Sequence, residues 1–89
     1  MSLELRIERF DKASSYAFTI VERSSQVYYA RTLLPYLSIA YAWDCRDVIR
    51  FTLKHLVHSW NAAHAPTIRL VEPDDALHLH AWDVEYVPD

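Results

Sequence analysis

No glycine occurs anywhere in the 89 residues. Average usage of roughly 7% would supply about six. Glycine reaches positive φ without steric cost and lets backbone approach a ligand closely. Phosphate-cradling loops, dinucleotide-binding turns, EF-hand loops and the nucleophile elbow all need it, so those chemistries are excluded. Turns must instead be built from longer loops with Asp, Asn, Ser and Pro, and function must come from side chains.

Hydrophobic periodicity then divides the chain. Leu3, Leu5 and Ile7 alternate with Glu4, Arg6 and Glu8, the period of a strand with one dry face and one wet face. Tyr16, Phe18 and Ile20 alternate with Ala17, Thr19 and Val21, and the two strands are expected to pair as a hairpin through a loop of about three to five residues, since no Asn-Gly or Asp-Gly is present. The segment from Val27 to Leu34 fits a strand, with a short helix capped by Ser24 as the alternative. Leu37, Ile39, Tyr41 and Trp43 alternate with Ser38, Ala40 and Ala42, which predicts a further strand lined on one face by small residues.

A long helix follows, from Asp44 to Ala63. Asp44 is a good N-cap, Asp47 places an acid in the first turn, and Cys45, Val48, Ile49, Thr52, Leu53, Leu56, Trp60 and Ala63 repeat at helical spacing. With glycine missing, Asn61 or His64 must end it. Thr67 to Val71 reads as a short strand and Pro73-Asp74-Asp75 as a turn. Leu77 to Val87 reads as a long last strand whose apolar phase switches near Ala81, where a bulge is expected. The predicted fold class is α+β, a single domain over residues 1–89. A mostly antiparallel sheet of about five strands packs one main helix on one face, in the order β-β-β-(β)-α-β-β.

Bulk properties narrow the function classes. A chain of 10.5 kDa buries roughly 64% of its unfolded surface, enough for one core. The net charge of −3 gives no general attraction to nucleic acid or anionic membrane. The longest stretch free of both charged residues and histidine, Thr32 to Trp43, is interrupted by Pro35 and is too short to span a bilayer. Charged residues in the first ten positions replace the apolar run of a signal peptide. The single cysteine has no internal disulfide partner, which points to a reducing cytoplasm.

Four constellations carry chemistry, each with an ordinary structural explanation beside it. Cys45 sits at the first helical position next to Arg46, where a thiolate is favoured, but it also lies on the apolar stripe. His55 and His58 share a helix face, and His78 and His80 a strand face, a permissive geometry for zinc that solvated histidines equally explain. Arg46, Arg50, Lys54 and His58 form a basic column that suits phosphates or an acidic partner, or simply a solvated face. Beyond Arg69 the chain is acidic, with no lysine or arginine, so column and carboxyl end are expected to meet within one fold, to meet between two copies, or each to face a different partner. Finally, one helix cannot cover a five-stranded sheet. Tyr16, Tyr28 or Tyr29, Tyr36, Tyr41 and Trp82 would then form an exposed aromatic surface of the kind enriched at interfaces, or else an ordinary core with hydroxyls at its rim.

The order from Tyr16 to Trp60, a strand Tyr-x-Phe-x-Ile, a second strand through Tyr29-Ala30, then Ala42-Trp43-Asp44 opening an amphipathic helix, resembles the small sheet-and-helix domain of HicB-like antitoxins. This sequence lacks the glycines that usually precede the helix in that family. The resemblance implies a small protein that binds and neutralises another protein, and phage-encoded inhibitors of bacterial defence systems use similar small folds.

The expected function is stoichiometric protein–protein binding, with self-association as a homo-oligomer, through Tyr28, Tyr29, Tyr41 and Trp82 and through Arg46, Arg50 and Lys54. No catalytic residue, cofactor, metal or membrane is called for. A small enzyme or metal-binding protein using Cys45 and the histidine pairs is the second reading, and nucleic-acid binding through the basic helix face the third.

Overall fold

A computed structural model describes residues 2–24 and 27–88; the side chains of Tyr28 and Tyr29 lie outside the described set. Strands β1 (Leu3–Phe10), β2 (Ser15–Glu22) and β3 (Val27–Pro35) form an antiparallel sheet in chain order. Alternation sets the register: Leu5 lies opposite Ile20 and Ile7 opposite Phe18, so the dry faces of both strands coincide and are buried together. The β1–β2 connection is a 3-10 turn, Asp11–Ala13, closed by Ser14 at φ 47°, ψ 48°. A serine thus takes the left-handed position where glycine is the usual residue. The Ser14 carbonyl then accepts from the Tyr36 amide at 2.9 Å, tying the turn to the end of β3.

Pro35 ends β3 and begins the first departure from the sequence reading. Residues 36–43 are not a strand: helix α1 (Tyr36–Ala40) and a loop occupy them. Pro35 fixes φ and removes a ladder donor, and a short apolar run fits either period. Ile39 packs against the core. Helix α2 (Cys45–Ala63) matches its expected limits, with Asp44 Oδ1 accepting from the Asp47 amide at 3.3 Å. Its buried stripe is Ile49, Leu53, Leu56 and Trp60. His64 leaves the helix in an extended conformation, while the Asn61 amide bonds both backbone groups of Ile68, at 2.9 and 3.0 Å, and starts the next strand.

Strands β4 (Ile68–Val71) and β5 (Asp83–Tyr86) make a separate antiparallel pair. The expected single sheet of about five strands is therefore two sheets, of three and two. A side chain explains the break: Asp83 Oδ1 accepts the Leu5 amide at 3.1 Å, so a carboxylate, not a neighbouring strand, satisfies that donor on β1. The expected long strand from Leu77 to Val87 is likewise shorter. A 3-10 turn, Leu79–Ala81, takes up the phase switch instead of a bulge. It turns Trp82 inward, where its indole N–H donates to the Ala76 carbonyl at 2.8 Å. Residues from β1, β2, β3, α2, β4 and β5 share one core.

Candidate interaction surface

Among the described residues, the sheet face turned away from the core is not the aromatic surface anticipated; Tyr28, which the register places on it, lies outside the described side chains. The central residues of that face, Ala17, Thr19 and Val21, are buried. They lie in register between Glu8, Arg6 and Glu4 on β1 and Leu33, Arg31 and Tyr28 on β3. Small central side chains let the long flanking ones lie across them: Arg31 Nε donates to Thr19 Oγ1 at 3.2 Å, and Arg6 and Glu4 pair at 2.6 Å. Trp82, at 1% exposure, belongs to the core rather than to any surface. Tyr16 and Tyr36 stack edge to face at 4.8 Å. The Tyr36 hydroxyl donates to Asp11 at 2.9 Å and accepts from Arg9 Nε at 3.4 Å. That hydrogen bond, more than the Asp11 charge, holds the Arg9 guanidinium above its ordinary value. These tyrosines brace the β1–β2 turn.

The four most exposed large apolar side chains among the described residues lie instead on α1, in the loop after it and on the outer side of α2. Leu37 is 65% exposed, Tyr41 83%, Trp43 105% and Phe51 74%. Leu37 and Tyr41 are four apart, so they share a side of the α1 turn while Ile39 points inward. The end of α1 is tied to the start of α2, where the Cys45 thiol donates to the Ile39 carbonyl at 3.3 Å. Trp43 occupies the position before the N-cap, where a hydrophobic residue ordinarily staples onto the fourth helical position, here Val48. It makes no such staple and stands wholly in solvent. Phe51 lies on the side of α2 opposite its buried stripe, stacked on His55 at 6.2 Å between ring centres.

Of the described residues expected to bind a partner, Tyr41 is among these most exposed apolar side chains. Leu37, Trp43 and Phe51 were not among the expected ones. The strand reading of residues 37–43 hid the first two, but Phe51 was visible as a large apolar residue off the helix's own apolar stripe.

The basic column is largely consumed inside the fold. Arg50 Nε and Nη2 grip both oxygens of Glu72, at 2.6 and 3.2 Å, and Nη1 reaches Asp47 at 2.7 Å. Arg46 donates to the Pro73 carbonyl at 2.9 Å, to the Asp74 carbonyl, and to Glu72 at 3.4 Å. The hydrogen bond from Arg50 lowers Glu72 below the ordinary carboxylate value, and its counterpart raises Arg50. Column and acidic end do meet within one chain, clamping the segment after β4 onto α2. Lys54 and His58 remain exposed.

A cleft of about 330 Å³ lies between Ile7, Glu8, Arg9 and Tyr16 on one side and His78 and His80 on the other. His55 and His58 are not part of it. Among the described residues no three His, Cys, Asp or Glu side chains are grouped to hold a metal ion, and no helix is long and apolar enough to cross a membrane. Comparison with protein-family models, with characterised proteins and with solved structures finds no match to this chain.

Proposed function

We propose that this chain is a small protein-interaction module that acts by stoichiometric binding, antitoxin-like or inhibitor-like in its action, in a reducing cytoplasm and without a catalytic step of its own. The observation that carries this reading is the fully exposed Trp43, with Leu37 and Tyr41 before it in the chain and Phe51 on the following helix also largely exposed. Tryptophan and tyrosine are the residue types most enriched where truncation abolishes binding. Three aromatics so exposed present roughly 450 Å² at about 150 Å² each, within the range of the functional patches found on soluble monomers.

A photo-crosslinking amino acid placed at position 43, in cells that naturally produce the chain, tests this. The expected result is one discrete protein adduct, absent when the same group replaces the exposed Lys12 in the β1–β2 turn. No adduct at position 43, or the same diffuse set from both positions, would overturn the reading.

A further inference from the structure

The outward face of α2 is self-complementary. At 100° per residue, Asp47, Lys54 and His58 fall on one flank of Phe51, and Asp44, His55 and Ala62 on the other; all are exposed. Acids occupy the amino-terminal half, bases the carboxyl-terminal half, and an aromatic ring the middle. A two-fold axis through Phe51, perpendicular to the helix, sets Phe51 against its own copy. It brings Asp47 opposite the second copy's Lys54 on one flank, and Asp44 toward the second copy's His55 on the other. Each contact then occurs twice, as an isologous interface requires. A parallel arrangement would instead oppose acid with acid and base with base.

We infer that the partner covering these exposed aromatics is a second copy of this chain, docked antiparallel through α2. The inference rests on the protein-binding reading above and names its partner. Area agrees: the outward face of a 19-residue helix, Phe51 included, together with roughly 300 Å² from Tyr41 and Trp43, approaches the about 800 Å² per partner of a standard interface. Arg46 is committed to Glu72 and the 73–74 backbone. Arg50 grips Glu72 and also reaches Asp47 Oδ1 at 2.7 Å, so in the dimer Asp47 is shared between Arg50 of its own chain and Lys54 of the second copy.

Sedimentation equilibrium of the whole chain from micromolar to millimolar concentration tests the inference. The wild type is expected to show a monomer–dimer equilibrium, and Phe51→Glu to remain monomeric. Asp47→Lys should weaken the dimer by about 10-fold, two ion pairs being lost and replaced by repulsion. Asp47→Lys combined with Lys54→Asp should restore it to within about 3-fold. This double variant still lacks the Asp47–Arg50 contact, so its rescue separates the interface from any effect on folding, which thermal melting by circular dichroism follows independently. A wild type that stays monomeric, or a dimer indifferent to both charge changes, overturns the second-copy assignment. If position 43 nevertheless yields a discrete adduct with another protein, the binding reading survives while the assignment fails.

Discussion

Ser14 does the work of an absent glycine. A left-handed non-glycine residue costs about 1 kcal/mol or more, and here it closes the turn that aligns β1 with β2. Ser14→Gly relieves that cost and returns part of it as unfolded-state entropy, so stability should rise by about 0.5 kcal/mol in chemical denaturation. A fall would mean that the serine side chain itself supports the turn. Trp43 is the opposite kind of residue, large yet without burial. Trp43→Ala should therefore change stability by less than about 0.5 kcal/mol, as for surface positions generally, while abolishing partner binding. A large loss of stability would place the ring in the fold rather than at an interface.

Among the elements, β1, β2, β3 and α2 were legible because alternation and the 3.6-residue repeat each ran long enough to be distinguished, and because Asp44 marked the helix start. Residues 36–43 and 77–87 were not. In the first, five residues of helix leave the same mark as a strand, and Pro35 decides between them. In the second, the change of phase resolves through Trp82 and its bond to Ala76, a contact no local pattern announces. The clamp of Arg46 and Arg50 on Glu72 was legible only as opposite charge at two ends of the chain. Its pH dependence is specific. Glu72 is held below the ordinary value of 4.5, so its contribution is complete above that value and is lost as pH falls through the lowered one. Glu72→Gln should melt earlier than the wild type at pH 7, and the difference should vanish in acid. A difference that persists there would assign the effect to packing.

For the whole molecule, stability comes from one core in which α2 is the common partner of both sheets. Leu53 is fully buried at its centre, and Leu53→Ala should cost about 2–5 kcal/mol. For 89 residues the total is roughly 4–13 kcal/mol, so that variant should unfold at a much lower urea midpoint. A small shift would mean that the neighbouring elements collapse into the space. The core draws in Trp60 and Trp82, and among the described residues the outer sheet face carries Arg6 and Arg31, so the proposed binding falls to the exposed aromatics of the α1–α2 region. The excess of aromatics was legible in the sequence, but which of them stay exposed was not, because Trp82 is drawn into the core through the turn before it.

Tryptophan accessibility tests this directly, because Trp43 alone of the three tryptophans is exposed. Acrylamide quenching, compared with Trp43→Phe to isolate that residue, is measured on the dilute chain and then with the protein that the position-43 crosslink yields, a second copy included. The account predicts a strongly quenched Trp43 that becomes several-fold protected in the complex, with the two buried tryptophans unchanged. A Trp43 that remains as quenchable in the complex as in the dilute chain would contradict it.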